Sequence, residues 1–211
     1  MQAIDLTQEP ILTIRDRDGE DYCIQAKYLL DASGFGRVLP RLLELEKPSC
    51  LPSRTAVFTH IEDNIDPSAE VVRECSLLKG YSANVTTLAT DKFALLGNAG
   101  EFLDPVFSSG VTIAMQSASM AAKCVVRQLN GEELDWDAEY AKPLMRGVDT
   151  FRTYVEAWYD GRFQEIIFFD APDNKIKQMI CSILAGYAWD ETNPFVSDSE
   201  RRLNMIVELC R

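Results

Sequence analysis

The sequence predicts an α+β fold, in which a small β meander and short strands pack with a long buried helix and a C-terminal helical layer. Three observations predict this class. The first thirty residues are rich in short β-type runs, and residues 93–129 have the pattern of a buried strand, a turn and a long apolar helix. From residue 144 onward, apolar residues recur at helical spacing.

Composition narrows the function classes before any motif is considered. The chain has 211 residues, with 46% hydrophobic and 26% charged residues, which is typical of one soluble globular domain or one and a half small ones. Lys and Arg total 21 against 33 for Asp and Glu, so the net charge of −12 argues against nucleic acid or an anionic membrane surface as partner. No apolar run reaches the length of a membrane span, and the N-terminus lacks the pattern of a signal peptide.

The cysteine and histidine inventory indicates a reduced compartment and no metal site. Six cysteines are scattered without a CxxC pair, so we expect reduced, mostly buried thiols and a cytoplasmic location. His60 is the single histidine, which argues against a histidine-based metal site or a Ser-His-Asp triad. A lone histidine is more often structural than catalytic, and the sequence identifies no catalytic residue.

The N-terminal β elements are predicted to form one meander. Residues 11–14 form a strand, Asp18 and Gly19 mark a hairpin turn, and residues 22–26 return. A third strand over residues 27–30 ends at Asp31 and the small residues that follow it. The meander therefore delivers Asp31 at the carboxyl end of its last strand.

Weaker patterns fill the middle of the chain. We expect a short helix within residues 37–45, a strand over 55–61, no assigned state for 62–83 and a short buried strand over 93–96. Residues 111–129 are apolar almost all round, which predicts a helix buried between layers that ends at Asn130 and Gly131.

Three further helices are predicted in the C-terminal part. An amphipathic helix carries Leu144 to Trp158 and closes at Asp160 and Gly161, followed by helices over residues 173–185 and 199–210. Ser199 is a candidate cap of the last helix. We expect the helical half to pack onto the β half as one body.

The segment FALLGNAGEFLDPVFSSGV, residues 93–111, carries the chemistry. It predicts a buried strand, a glycine turn, an Asp104-Pro105 loop and a serine pair that opens the long helix. The first N–H groups of a helix are unpaired and carry partial positive charge, so this terminus suits an anion, and Gly110 allows a planar ligand to approach the backbone. Purely structural strand–turn–helix units share this pattern. A second strand end at Asp31 favours a ligand site, because open α/β sheets bind ligands at the carboxyl ends of strands.

The stretch LLGNAGEFLDPVFSSGVTIAMQSASMAA resembles the second flavin-binding motif of FAD-dependent oxidoreductases with the aromatic-hydroxylase fold. Within that fold it is most similar to the group of flavin-dependent (tryptophan-halogenase-like) halogenases and geranylgeranyl reductases. LLDASGFGRVLPRLL resembles the preceding Asp-Ala-Ser-Gly element, and the text around residues 147–163 and 181–195 resembles the C-terminal helices of halogenase-like members. The resemblance implies a partial α/β FAD-binding domain at residues 1–130, with a remnant of the substrate domain at about 50–90, and a C-terminal helical region at 131–211.

The resemblance also implies roles for individual residues. Asp31 and Gly34 belong to the first element, Gly97 makes a tight turn, and Asn98 lies where an Asp of the family contacts the sugar or ribityl chain of FAD. Pro105 orders the loop beside the flavin ring. The residues implied to face the pyrimidine edge of the ring are Ser108, Ser109, Gly110 and Val111. In halogenating members, the pair matching Ser109 and Gly110 also helps to hold the halide.

The sequence departs from the family in two ways. No Gly-x-Gly-x-x-Gly opens a βαβ unit, so the N-terminal part that holds the FAD pyrophosphate and the halogenase lysine has no counterpart, and FAD binding is conditional on that unit being supplied. Asn98 replaces the usual Asp. The chain is therefore expected to be a fragment, a subunit or a remnant, which self-associates or recruits a partner chain through exposed apolar faces.

Two functions stay open on the sequence. The first is an FAD-dependent oxidoreductase, halogenase-like or monooxygenase-like, that acts on a small organic substrate. The second is a non-catalytic remnant that serves as an interaction or assembly module.

Other acidic and aromatic candidates have simpler interpretations. Glu101 and Asp104 are expected to cap and turn the loop, Asp135 and Asp137 to start a helix, and the aromatic stripe of Phe151, Tyr154, Trp158 and Tyr159 to lie in the core.

Overall fold

The computed structural model describes residues 1–49, 51–53, 55–58, 76–79, 82–171 and 173–211. The strands are β1 Ala3–Asp5, β2 Ile11–Arg15, β3 Asp21–Gln25, β4 Leu29–Asp31, β5 Glu46–Lys47, β6 Thr55–Phe58, β7 Ser76–Lys79, β8 Asn84–Val85 and β9 Phe93–Leu95. The helices are α1 Val38–Leu42, α2 Gly110–Leu129, α3 Lys142–Tyr159, α4 Arg162–Ile167, α5 Asn174–Leu184, α6 Pro194–Ser197 and α7 Ser199–Cys210. The expectations for Cys50, Cys75, His60 and the end of the predicted strand at 59–61 lie outside the described residues.

The N-terminal meander exists, but its members differ from the predicted ones. β1, β2 and β3 form an antiparallel sheet in that order, and Gly19 adopts φ +89° in the turn between β2 and β3. The predicted third strand, which carries Asp31, is wrong as part of this sheet. β4 pairs instead with β9, more than sixty residues further along the chain. The third strand of the meander is β1, which is an edge strand beside β2.

The pairing of β4 with β9 is parallel and brings two chain turns together. Leu29 N donates to Lys92 O at 3.0 Å, and Leu96 N donates to Asp31 O at 2.8 Å. Because both strands end at the same edge, the turns that follow them, at Gly34 and Gly97, lie side by side. Phe93, Ala94 and Leu95 are buried, so β9 belongs to the core.

Helix α2 is the predicted long helix. The expected burial holds on one face, and the other face is apolar and exposed, as we expect where the N-terminal unit has no counterpart. Its buried face carries Ile113, Ser117, Ala121 and Cys124. The opposite face is apolar and exposed, with Val111 and Met115 about 70% accessible (71% and 70%). In the described part of the chain, α2 is therefore covered on one face only.

The C-terminal helices pack onto the strands, as the sequence predicts. Tyr140, in a π-helical turn before α3, is fully buried and donates its hydroxyl to Leu95 O at 2.7 Å. Phe151 and Tyr154 of the predicted aromatic core are buried, whereas Tyr159 is partly exposed and reaches the Asp104 loop. One hydrophobic cluster includes β9, α2 and α3 residues.

Among the described helices, side-chain caps open α5 and α6. Asp135 accepts from Asp137 N and Ala138 N, and Asp173 caps α5. The expectation for Ser199 is wrong: Asp198 occupies the capping position, and the Ser199 hydroxyl lies 3.2 Å from the Thr153 hydroxyl. Within the residues described, no helix is long and apolar enough to cross a membrane.

Candidate functional site

A cleft of about 550 Å³ lies where the β4 and β9 turns meet the opening of α2. It is lined by Ala32, Gly34, Phe35, Leu96, Gly97, Asn98, Phe102, Pro105, Ser108, Gly110, Val111, Ala114 and Ala118. Backbone and apolar side chains dominate this lining, and no ionisable side chain belongs to it. The cleft therefore suits a planar organic group held by amides and van der Waals contact.

The Gly97 turn forms the floor of the cleft, and the backbone of this turn has space for glycine only. Gly97 has φ +50°, and a Cβ at this position would lie 2.9 Å from the Ala114 Cβ. Its N–H donates to the Ser117 hydroxyl at 3.0 Å, and that hydroxyl donates to Ala114 O at 2.9 Å. The turn is thus fixed directly against α2.

The opening of α2 lies at the cleft, which Ser108, Gly110 and Val111 line. Ser108 adopts a left-handed conformation with φ 54°, and the first bond into the helix runs from Ile113 N to Ser109 O at 2.9 Å. The amides of residues 110–112 precede that bond, so they are the unpaired donors of the helix start. A Cβ on Gly110 would lie 3.1 Å from the Phe102 ring and 3.8 Å from Asn98 Oδ1, so this glycine keeps the opening wide.

The two acidic residues of the loop hold it in place. Asp104 accepts from Val106 N and from the Tyr159 hydroxyl, both at 2.9 Å. Glu101 is buried, pairs with Arg152 at 3.3 Å and accepts from Val85 N at 3.3 Å. Burial outweighs these partners and raises the pKa of the Glu101 carboxyl. Asp104 therefore has the expected capping role, whereas Glu101 instead ties the loop to α3 and β8.

Asp31 lies beneath the cleft and does not line it. The carboxylate is buried, and its two oxygens accept from Ser33 N and Leu39 N, each at 2.8 Å. The Ser33 hydroxyl in turn accepts from Val38 N at 2.9 Å. Asp31 therefore shapes the Gly34 turn through the backbone, and its predicted contact with a cofactor stays a prediction.

The structure brings most of the predicted site residues together. Gly34, Gly97, Asn98, Pro105, Ser108, Gly110 and Val111 line the cleft, whereas Asp31 and the buried Ser109 do not. Sequence reasoning missed Phe35 and Phe102, whose rings meet edge to face at 5.3 Å on one wall. Both lie within the quoted motifs, and an aromatic residue beside each glycine turn was the available signal.

A second cavity, of about 380 Å³, lies among α4, α5 and α7, far along the chain from these motifs. Its lining is mostly apolar, with Asp173 and Lys177 as the charged members.

Among the described residues, no group of three or more His, Cys, Asp or Glu side chains is arranged to hold a metal ion.

Comparisons with known proteins identify relatives of this arrangement. A flavoprotein/dehydrogenase from Cytophaga hutchinsonii superposes with a TM-score of 0.93 at 33% identity, covering 99% of this chain and 68% of that protein. The chain belongs to the same flavoprotein family as that protein. Among curated relatives, the flavin-dependent halogenase rdc2 of Metacordyceps chlamydosporia is 33% identical over 153 residues, which cover 67% of this chain and 29% of that enzyme. A 1H-pyrrole-2-carbonyl-[peptidyl-carrier protein] chlorinase of Pseudomonas fluorescens is 24% identical over 67% of this chain and 31% of that enzyme.

Three further facts define the match. The chain spans less than a third of the length of these two curated relatives. The flavin-dependent halogenase CmlS shares the fold, with a TM-score of 0.64 at 17% identity. No protein-family model matches the chain.

Proposed function

We propose that this chain is the flavin-ring half of an FAD-dependent oxidoreductase, halogenase-like or monooxygenase-like, that acts on a small organic substrate. One observation carries the proposal: Ser108, Gly110 and Val111 at the opening of α2 line a cleft of about 550 Å³ together with the Gly97 turn. Membership of a family whose named relatives are flavin-dependent halogenases supports it.

The residues present fit a planar ring system. At Gly97 and Gly110, a Cβ would meet Ala114 and the Phe102 ring respectively, so both glycines leave room for a flat group against the backbone. Flavin bound here would supply the two-electron chemistry, which belongs to the cofactor. The chain's own part is to hold that ring: Pro105 and Ser108 border it, and Asn98 offers an amide to a hydroxyl of the chain attached to it.

The opening of α2 has a second role, which is electrostatic. A helix N-terminus stabilises a neighbouring anion by about 0.3–1 kcal/mol, and by up to about 2 kcal/mol when partly buried. For a two-electron couple, about 1.4 kcal/mol corresponds to roughly 30 mV. The amides of residues 110–112 would therefore raise the potential of a bound flavin by tens of millivolts.

The proposal includes the organisation of the chain and its surroundings. Residues 1–130 are the partial FAD-binding domain, with the remnant of the substrate domain at about 50–90, and 131–211 are the helical region that holds the loop through Arg152 and Tyr159. We also propose a cytoplasmic location, supported by the free thiols of Cys23, Cys124, Cys181 and Cys210. FAD binding requires the pyrophosphate-holding unit from a partner or from further polypeptide.

A visible absorption spectrum with an intact mass tests the proposal. Purified chain with the missing unit supplied in trans is expected to retain flavin bands that leave with the small-molecule fraction after denaturation, whereas the chain alone is expected to be colourless. A colourless preparation that takes up no added FAD when the missing unit is supplied contradicts the proposal. That outcome favours the non-catalytic assembly module, for which the exposed face of α2 is the supporting observation.

A further inference from the structure

The cavity among α4, α5 and α7, called the helical cavity below, is separate from the flavin cleft. Its volume of about 380 Å³ lies at the small end of the range of about 300–1,000 Å³ that is typical of small-molecule sites. None of the residues that line it also lines the cleft at the opening of α2. A ligand held in the helical cavity would therefore be distinct from a ring held in the cleft, and this inference goes beyond the proposed function.

The longest wall of the helical cavity is one stripe along α5. Its members recur every three or four positions and therefore share one side of the helix; they are Ile176, Lys177, Ile180, Cys181 and Leu184. From the first to the last of them the stripe is about 12 Å long, at about 1.5 Å per residue. On the other side, α7 contributes Ile206, Leu209 and Cys210, and α4 contributes Ile166 and Ile167. This shape suits an elongated apolar body.

Polar contacts at both ends of α7 hold the opposite wall in place. Arg162, at the start of α4, donates to Glu200 and Asn204 of α7 at 2.7 and 2.6 Å. Arg211, directly after α7, pairs with Glu165 of α4 at 2.8 Å. The wall that α4 and α7 form is therefore built before any ligand arrives, as in most small-molecule sites.

The helical cavity carries one cationic side chain that no described carboxylate pairs with. Asp173 caps α5 and accepts from Lys175 N and Ile176 N at 2.8 and 3.0 Å, so the positive end of the helix offsets its charge. Lys177 lies one turn further along, at an exposed position, and forms no ion pair within the described part of the chain. A free ammonium beside an apolar cavity favours a ligand with one negative head group.

We propose that the helical cavity is a binding site for an amphipathic carboxylate, whose apolar chain lies along the α5 stripe and whose head group meets Lys177. The apolar chain supplies the affinity by burial against the stripe, and the single charge fixes the direction in which the ligand lies. A second copy of the chain is a poorer occupant, because it would bring together two molecules that each carry a net charge of −12.

Thiol protection in the full chain tests the proposal. Cys181 and Cys210 line the helical cavity, whereas the exposed Cys23 lies in β3 and is the internal control. The probe is decanoate below its micellar concentration, and alkylation by iodoacetamide is followed for each cysteine by mass spectrometry. Burial raises the pKa of the Cys210 thiol, so each thiol is compared with its own rate in the absence of ligand. We expect decanoate to slow alkylation of Cys181 and Cys210 several-fold and saturably, with Cys23 unchanged.

Two matched pairs of variants locate the ligand. Leu209→Asp places a charge on the apolar wall and should weaken decanoate binding roughly tenfold or more, whereas Met205→Asp, on the same helix outside this lining, should leave the affinity unchanged. Lys177→Gln should weaken binding about two- to fivefold, as for an exposed ion pair, and Lys175→Gln should not. All four side chains are exposed, so the substitutions spare the core.

A ligand of opposite charge completes the test. Decyltrimethylammonium has the same chain length with a cationic head group and should protect the two thiols less than decanoate does. Equal protection by both compounds overturns the proposal, as does protection that persists undiminished in Leu209→Asp or no protection at all. A ligand-free dimer on gel filtration in which both thiols are already shielded would assign the helical cavity to a second copy and also overturn it. These readouts use no flavin, so their failure leaves the proposed function standing.

Discussion

Replacement of Gly97 by Ala tests the floor of the cleft, and its cost can be estimated from the structure. Gly97 has φ +50°, a conformation that costs an L-residue about 1–2 kcal/mol. The new Cβ would lie 2.9 Å from the Ala114 Cβ, and overpacking of this kind costs about 1–3 kcal/mol. We therefore expect Gly97→Ala to lower the free energy of unfolding by about 2–5 kcal/mol, measured by urea denaturation with tryptophan fluorescence.

A double-mutant cycle separates the two causes. Ala114→Gly alone should cost about 1 kcal/mol of helix propensity. In the Gly97→Ala background it removes the Cβ contact, so the double variant should lose only about 2–3 kcal/mol, less than the sum of the single variants. Gly36→Ala is the matched control, because its φ is not positive and its Cβ would meet Ser33 at an ordinary 3.5 Å. A Gly97→Ala variant as stable as Gly36→Ala, or strictly additive single costs, would refute the reasoning.

Three further predictions concern the cleft and its supports. Gly110→Ala should change the free energy of unfolding by less than about 1 kcal/mol, because the higher helix propensity of alanine offsets the 3.1 Å approach of its Cβ to the Phe102 ring. The same variant should weaken FAD binding in a titration followed by flavin absorbance. An unchanged affinity for FAD would contradict the proposed flavin site. Asp31→Ala leaves the amides of Ser33 and Leu39 without their acceptor and should lower the free energy of unfolding in urea by about 1–3 kcal/mol. Asp31→Asn, which keeps one acceptor oxygen, should lower it by less. Equal costs for the two variants would contradict the assignment of one Asp31 oxygen to each amide. Burial raises the pKa of the Glu101 carboxyl in the folded protein above its ordinary value of 4.5, so protonation of this carboxyl favours folding. The stability contributed by this group is therefore present below pH 4.5 and is lost as the pH rises through the raised pKa. Glu101→Gln should remove this loss from the pH dependence of the unfolding midpoint, and an unchanged pH profile would contradict the role of Glu101.

The sequence predicts the site better than it predicts the sheets. The segment from Phe93 to Val111 is local, so strand, glycine turn, Asp104 cap and helix opening follow from neighbouring residues and are found in order. The pairing of β4 with β9 depends on a contact across more than sixty residues, and the run before Asp31 has no feature that separates it from a third meander strand. Local sequence patterns therefore predict the two turns at Gly34 and Gly97, but only the three-dimensional pairing of β4 with β9 shows that these turns lie side by side.

The sequence pattern of α2 does not by itself show which of its apolar faces a neighbour covers. An apolar surface all round a helix indicates that each face has a partner, but the pattern is the same whether or not that partner belongs to the chain in hand. Val111 and Met115 are exposed because the described elements cover the opposite face alone. The link from Tyr159 to Asp104 joins residues 55 apart, so no local signal distinguished Tyr159 from the core aromatics beside it.

Hydrogen exchange at the amides of residues 108–112, with and without FAD, tests the central claim most directly. The measurement uses the chain together with the unit that completes it, and bound flavin is followed by its visible bands. The account predicts that exchange at residues 110–112 slows on FAD binding while the meander at β2 and β3 is unaffected. Flavin that binds and leaves these amides unchanged would contradict the claim that the opening of α2 faces the ring.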